Sequence, residues 1–222
     1  MKLETQCLHA GYSPEATTNS RAVPVYKTSS FVFNDTEHAA NLFGLRELGN
    51  IYTRLMNPTT DVLEQRVAAL EGGAAGLGVA SGTSGVFYSI INLAEEGDEI
   101  VSANNLYGGT YTQFNDILPK FGINVKFVDP NDPQNYAAAI TDKTKALFCE
   151  TVSNPGLDVA DLEAIGKIAA DNGIPLIVDS TFSTPYLTRP IEPFDAAEGT
   201  TMWQFSFPIA TADAAALGTV RT

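Results

Sequence analysis

The sequence predicts an α/β fold whose sheet is mainly parallel and covered by helices on both faces. Between residues 58 and 178, short apolar runs alternate with segments of helical periodicity, and this alternation is typical of repeated strand and helix units. The composition is 44% hydrophobic and 18% charged over 222 residues, which suffices for one domain with a sizeable core and an arm. Both observations favour a folded chain over a disordered one.

The first 57 residues are predicted to form an irregular arm that contacts a neighbouring subunit. Gly11, Pro14 and Pro24 interrupt any regular pattern, and only residues 37–48 show a helical patch. We therefore expect the arm to have little core of its own.

Regular structure is predicted from residue 58 onward, where Thr59 or Thr60 can cap a helix that Gly72 ends. Further predicted strands are residues 77–80, 99–102, 124–128, 145–150 and 174–178, and further predicted helices are residues 83–94, 110–121, 134–140 and 159–172. Right-handed crossovers would bring the carboxyl ends of parallel strands to one edge of the sheet. We assign residues 58–194 to this domain.

The segment of residues 195–222 differs from what precedes it. Its alanine-rich stretch 210–218 shows no strand alternation and only a weak helical pattern. We therefore do not assign this segment to the core.

Charge and residue counts disfavour several classes of function. A net charge of −13 and a pI near 4.4 disfavour nucleic acid and anionic membrane surfaces as partners, and no apolar run reaches spanning length. Cys7 and Cys149 are too few for a disulfide framework, and with only His9 and His38 beside them we expect no metal site. A reducing, cytoplasmic environment is expected.

The segment 81–85 (SGTSG) lies between a predicted strand and a predicted helix. Free N–H groups at a helix N-terminus bind anions, and phosphate is the natural ligand. The alternative is a tight turn in which Ser81 only caps the helix. The glycine spacing and the ribose-binding acid of a dinucleotide site are both missing, which disfavours a nicotinamide-binding module, and no P-loop occurs.

Two other loops offer an aromatic ring and an amide. Tyr107 follows a strand and precedes two glycines, which would let its ring lie against a planar ligand while the backbone passes close by; an ordinary packed tyrosine before a turn is the alternative. Asn154, followed by a proline, follows the strand at 145–150 and could be a ligand or only a turn initiator.

Asp179 closes the apolar run 174–178, so a carboxylate is expected where a buried strand opens into a loop. Open α/β sheets bind ligands at that edge, although an aspartate there often only caps the next turn. Four strand-end loops thus offer an anion cradle, a ring, an amide and a carboxylate. This set favours a site for a phosphorylated pyridine.

Tyr52 and Arg54 alternate in the arm and would project to one side if the arm is extended. A hydroxyl and a guanidinium side by side suit phosphate. The alternative is a solvated surface pair.

Taken together, these motifs resemble the Cys/Met-metabolism pyridoxal-phosphate enzymes. The resemblance is carried by YTR at 52–54, NPT at 57–59, SGT at 81–83, LYGGT at 106–110, ETVSNP at 150–155 and VDSTF at 178–182. Residues 33–54 are most similar to the O-acetylhomoserine sulfhydrylases within that family. The resemblance covers residues 3–194 and implies a fold-type I large domain, incomplete at the C-terminus, in a homotetramer of tight dimers.

The resemblance also implies a role for each matched residue toward pyridoxal 5'-phosphate. Gly82 and Thr83 would bind the phosphate through backbone N–H groups, and Tyr52 and Arg54 would reach the phosphate held by the neighbouring subunit. The remaining roles concern the ring: Tyr107 would stack on it and act in catalysis, Asn154 would lie near its hydroxyl, Asp179 would pair with its nitrogen, and Thr181 would lie beside it.

The implied reaction is γ-replacement, in which sulfide or a thiol replaces the acetate of O-acetylhomoserine and gives homocysteine or methionine. Related trans-sulfuration chemistry, that of methionine γ-lyase or cystathionine γ-synthase, stays open.

The sequence departs from the family after residue 190. The family continues into a Ser-x-Thr-Lys motif whose lysine forms the Schiff base with the cofactor, but no lysine follows Lys167 here. Ser180 also stands where the family has asparagine. We expect a truncated product, read out of frame after Phe194, with impaired turnover on its own. A non-catalytic subunit that associates with full-length copies is the alternative.

Overall fold

The computed structural model describes residues 1–191 and, as backbone only, residues 204–206 and 216–220. The chain divides into two compact units, Met1–Arg66 and Val67–Thr222. The domain boundary expected after residue 57 stays a prediction.

The first unit contains helices α1 (Leu3–His9), α2 (Thr36–Phe43) and most of α3 (Pro58–Glu71). Sequence analysis missed α1 because this helix buries no residue and so shows no apolar stripe. In α2, the predicted helical patch, the Asp35 carboxylate accepts the N–H of His38 at 2.8 Å and caps the N-terminus.

Gly11 lets the chain pass close to the middle of α3. Its φ is +72°, and a Cβ there would lie 2.7 Å from the backbone nitrogen of Arg66, so only glycine fits. The Arg66 side chain donates to the carbonyl of Ala10 at 2.8 Å. The irregular part of the unit is therefore held by specific contacts.

The second unit contains a seven-stranded sheet with the strand order β1, β7, β6, β5, β4, β2, β3. The strands are β1 (Ala75–Val79), β2 (Glu99–Ala103), β3 (Asn124–Val128), β4 (Thr144–Glu150), β5 (Leu176–Asp179), β6 (Gln204–Ser206) and β7 (Ala216–Val220). Strands β3, β2, β4, β5 and β6 run parallel, and β7 pairs antiparallel with β1 and β6. The predicted, mainly parallel sheet is confirmed.

Helices connect these strands, as predicted. They are α4 (Gly82–Ile91), α5 (Gly108–Thr112), α6 (Gln134–Ala139), α7 (Leu162–Asp171) and α8 (Thr184–Leu187). The helix predicted at 110–121 is irregular, because a π-helical turn at Gln113–Ile117 and a 3-10 turn at Leu118–Phe121 follow α5.

Strands β6 and β7 correct one expectation. We predicted no strand past Phe194, yet the backbone at 204–206 pairs parallel with β5 and the backbone at 216–220 pairs antiparallel with β1. The segment at 204–206 is too short to show a period, and the segment at 216–220 contains alanine and glycine and little hydrophobic alternation. Backbone pairing rather than pattern therefore defines both strands. The rest of the segment 195–222 lies outside the described residues.

The core of the second unit lies on both sides of the central strands. Consecutive residues of β2 and β4 are buried, which requires cover on both faces. Phe114, after α5, packs edge-to-face on Phe148 of β4 with ring centroids 4.9 Å apart. Because β2, β4 and β5 are parallel, their carboxyl ends meet at one edge, where the loops that follow them lie side by side.

Candidate functional site

A cavity of about 470 Å³ opens at the carboxyl edge of the sheet in the second unit. It collects the loops that follow β1, β2, β4 and β5. Its lining residues are Ala80, Ser81, Gly82, Thr83, Val86, Tyr107, Thr110, Glu150, Val152, Asn154, Asp179, Thr181 and Phe182. Both polar and apolar side chains thus surround a volume suited to a small ligand.

The N-terminus of α4 forms one wall of the cavity. Ser81 caps the helix, since its Oγ accepts the N–H of Ser84 at 3.1 Å. This is the cap that the alternative interpretation expected, and whether the segment also binds an anion stays a prediction. Gly82 and Thr83 begin the helix and line the cavity. Backbone N–H groups in a first turn have no intrahelical acceptor, and with the helix dipole they favour an anion.

Tyr107 lies in the loop between β2 and α5 and is half exposed at the cavity. A Cβ at Gly109 would lie 2.6 Å from the Tyr107 ring, so this glycine permits its own backbone to approach the ring closely, and the contact of the ring with a planar ligand stays a prediction. No atom lies within 4 Å of a Cβ placed at Gly108. Of the two glycines, only Gly109 is required by the ring.

Asp179 ends β5, and its carboxyl group reaches the cavity. Its Oδ1 accepts the N–H of Thr181 at 2.9 Å and the Thr181 hydroxyl at 2.6 Å. Burial raises the pKa of Asp179, while the hydrogen bonds from Thr181 counteract part of this effect. The carboxyl group is therefore oriented, and a cation in the cavity would favour its charged form.

Asn154 lies in the turn after β4 and also lines the cavity. Six residues predicted from separate motifs, namely Gly82, Thr83, Tyr107, Asn154, Asp179 and Thr181, therefore surround one volume. Their individual roles toward a ligand stay predictions.

Glu150, the last residue of β4, is a cavity residue that sequence reasoning missed. Its Oε1 accepts the N–H of Tyr107 at 2.7 Å. Burial raises the pKa of Glu150 to about 7, and the nearby Asp179 adds to the rise. The available signal was the one that identified Asp179, a carboxylate at the end of an apolar strand.

Tyr52 and Arg54 belong to the first unit, where they line an open depression with Tyr26, Lys27, Thr28, Ser29 and Thr53. The expected extended arm is wrong at this point, because the N–H groups of Leu55 and Met56 both bond to the Tyr52 carbonyl and form a turn. The turn still brings the two side chains together, with the Arg54 guanidinium 5.0 Å from the centroid of the Tyr52 ring.

The described residues show neither a cluster of metal ligands nor a helix of membrane-spanning character. Within residues 1–191, no group of three or more His, Cys, Asp or Glu side chains is arranged to hold a metal ion. None of the helices in that part of the chain has both the length and the apolar character needed to cross a bilayer.

Comparison with known proteins gives consistent results. The profile of the Cys/Met metabolism PLP-dependent enzymes matches residues 4–196. The chain is 56% identical over 191 residues to an O-acetyl-L-homoserine sulfhydrylase of Leptospira meyeri, covering 86% of this chain and 43% of that protein. It is 52% identical over 193 residues to O-acetyl-L-homoserine sulfhydrylase 1 of Thermus thermophilus, covering 86% of this chain and 46% of that protein.

Solved structures agree. A Campylobacter jejuni protein assigned as an O-acetylhomoserine (thiol)-lyase, crystallised with a pyridoxyl-lysine phosphate, superimposes with a TM-score of 0.90 at 37% identity, covering all of this chain and 55% of that one. Cystathionine gamma-lyase of Lactobacillus plantarum superimposes with a TM-score of 0.86 at 31% identity, covering all of this chain and 55% of that one. The chain spans less than half the length of the curated relatives described above.

Proposed function

Because the chain belongs to the family of Cys/Met metabolism PLP-dependent enzymes, we propose that the cavity at the carboxyl edge of the sheet binds pyridoxal phosphate. The observation that carries the proposal is the meeting of a helix N-terminus, an aromatic ring and an oriented carboxyl group around one cavity. These three groups fit the phosphate, the planar ring and the ring nitrogen of this cofactor.

In the proposed complex, each wall of the cavity has one task. The first turn of α4, at Gly82 and Thr83, binds the phosphate through backbone N–H groups. Tyr107 covers one face of the ring. Asp179, held by Thr181, keeps the ring nitrogen protonated, and a bound cofactor then supplies an electron sink next to the substrate amino group.

The proposed reaction is the replacement of the acetate of O-acetylhomoserine by sulfide or a thiol, giving homocysteine or methionine. Two relatives at 56% and 52% identity bear the name of that activity, and this supports the choice. Another trans-sulfuration reaction is the second candidate, because the fold also superimposes on a cystathionine gamma-lyase.

Cofactor binding by this chain is proposed to be non-covalent. The C. jejuni structure holds its cofactor on a lysine, whereas the present sequence has no lysine after Lys167. In such enzymes, the lysine that holds the cofactor also moves protons during the reaction. We therefore expect binding of the cofactor by this chain without turnover above background.

Pyridoxamine 5'-phosphate tests this proposal, because it lacks the aldehyde and cannot react with surface lysines. Calorimetric titration of the chain should give saturable binding of pyridoxamine phosphate and pyridoxal phosphate with similar affinity, and none of NADH. Homocysteine formation from O-acetylhomoserine and sulfide, followed by thiol detection, should stay at background. Binding of pyridoxal phosphate without binding of pyridoxamine phosphate would show that only exposed lysines react with the aldehyde, and it would contradict a role for the cavity.

Self-association through the arm is also proposed. The Tyr52 and Arg54 side chains, together with Lys27 in the same depression, offer a positive charge that suits the phosphate of a second subunit. Sedimentation velocity should show a dimer or larger species that Arg54→Ala weakens when the cofactor is present. Arg46→Ala, on another exposed part of the same unit, is the matched control.

A further inference from the structure

Glu150 joins two walls of the cavity through one carboxyl group. Its Oε1 accepts the backbone N–H of Tyr107 at 2.7 Å, and the backbone N–H of Asn154 donates to the same carboxyl group. Tyr107 follows β2, and Asn154 follows β4, so the two loops belong to different strands. With 7% of its surface exposed, Glu150 is well shielded from water, and these hydrogen bonds gain strength accordingly.

A second carboxyl group lies next to Glu150. Asp179 is its partner in the register of the parallel strands β4 and β5, and side chains of such partners point to the same face of a sheet. Both line the cavity. Carboxylates on neighbouring strands at least partly shielded from water repel each other, and Asp179 accordingly raises the pKa of Glu150, so ionisation of one disfavours ionisation of the other.

The other titratable groups near Glu150 are few among the described residues. The Cys149 thiol is fully buried, and burial together with the two carboxylates raises its pKa, so it stays neutral. Asp158, in the loop after β4, lies with Glu150 around a small crevice and bonds to Ser153 and Asn105. The Tyr107 phenol also borders the cavity, and the buried Tyr136 hydroxyl, which donates to the carbonyl of Phe148, lies near Cys149. No Lys or Arg lines either space.

We propose that Glu150 is a positioning residue for the cofactor. By accepting the N–H groups of Tyr107 and Asn154, it holds the Tyr107 ring and the Asn154 side-chain amide in place beside the pyridine ring of the cofactor. This inference rests on the proposed binding of pyridoxal phosphate in the cavity. Glu150 acts through two other residues, and its ionisation near neutral pH strengthens both hydrogen bonds, because a charged acceptor binds N–H groups more strongly.

Two predictions distinguish this role from simple packing. Ionised Glu150 should raise the affinity for the cofactor as the pH increases through about 7. A side chain that keeps the acceptor oxygen but cannot ionise should keep most of the affinity and lose this part of the pH dependence.

The experiment measures the Kd of pyridoxamine 5'-phosphate by calorimetry for wild type, Glu150→Gln and Glu150→Leu from about pH 6 to about pH 8. Glu150→Leu should weaken binding by about tenfold or more, because the partly buried N–H groups of Tyr107 and Asn154 lose their shared acceptor. Glu150→Gln should stay within about threefold of wild type at the acid end and fall behind it as the pH rises. Glu163→Gln, on the exposed face of α7, should match wild type throughout.

Amide NMR shifts give a readout without ligand. The Tyr107 and Asn154 N–H signals should titrate together with an apparent pKa near 7 in wild type and stay constant in Glu150→Gln, which also keeps the test valid where Glu150→Leu does not fold. If wild type binds and Glu150→Leu binds equally well, or if the two amide shifts of wild type do not change with pH, the positioning role is wrong but the proposed function stands. Absence of wild-type binding would overturn the proposed function and this inference with it.

Discussion

The Gln113 side chain donates from Nε2 to the carbonyl of Thr83 at 3.2 Å. This bond joins the π-helical turn after α5 to the first turn of α4. Gln113 is buried, and no donor among the described residues reaches its Oε1. The N-terminus of α4 is thus supported from outside the helix, by a residue of an irregular turn of the kind often found at functional sites.

Replacing Gln113 with Leu should loosen this support. We expect pyridoxamine phosphate affinity to fall a few-fold, because the Thr83 carbonyl loses a bond worth about 1 kcal/mol. Calorimetric titration measures the affinity, and thermal unfolding measures the accompanying loss of stability. Gln134→Leu, exposed at the start of α6, is the control. Equal affinities of Gln113→Leu and Gln134→Leu would show that Gln113 does not support the N-terminus of α4.

The N-cap of α4 should matter for both stability and binding. Ser81→Ala removes the acceptor of the Ser84 N–H and should lower the free energy of unfolding by about 1 kcal/mol. Asp161→Ala removes the equivalent cap of α7, which accepts the Ala164 N–H at 3.0 Å, at a similar cost. Only Ser81→Ala should also weaken pyridoxamine phosphate binding; a comparable loss in Asp161→Ala would mean that general destabilisation causes the effect.

Asp179→Asn should separate binding from stability. The amide keeps an oxygen for the hydrogen bonds from Thr181 but cannot pair with a protonated ring nitrogen, so the affinity for pyridoxamine phosphate should fall about tenfold or more. Because burial penalises the charged form of Asp179, the free energy of unfolding at neutral pH should not fall. Asp171→Asn on α7 is the exposed control for charge removal, and wild-type affinity in Asp179→Asn would argue against the assigned role.

Stability of the ligand-free chain should depend on pH through Glu150. The folded-state pKa, about 7, lies above the ordinary value of 4.5, so the folded state binds more protons between these values and loses stability as the pH rises through that range. The loss from this group is up to about 3 kcal/mol. Urea unfolding at several pH values should show this decline in wild type and a smaller one in Glu150→Gln, where the raised pKa of Asp179 still contributes in the same direction.

Carboxylates with lowered pKa should not obscure that decline. Hydrogen bonds from Lys126 and Thr141 lower the pKa of Glu99, so Glu99 contributes stability at neutral pH that is lost only as the pH falls below the ordinary range. Its effect has the opposite sign and lies in a more acidic window. A rise in wild-type stability between about pH 5 and about pH 7 would contradict the assignment to Glu150.

Several elements could be predicted from local sequence because their signals are local. The strand that ends at Asp179 is an apolar run with a polar end, and α4 begins directly after its capping residue, Ser81. The strands β6 and β7 and the helix α1 could not, because the first two depend on backbone partners and α1 buries no residue. A hydrophobic pattern is needed for such predictions, and the sequences of these three elements show little of one.

By itself, the sequence determined the α/β class, the mainly parallel sheet and the polar group that stands at the end of each strand. Tertiary structure alone decided which of those groups are neighbours. Strand order placed Glu150 beside Asp179, and the packing of α5 against α4 placed Gln113 on Thr83. The physical reason is that strand pairing and side-chain burial join residues far apart in the chain, and the pKa of a carboxyl group depends on those neighbours rather than on adjacent residues.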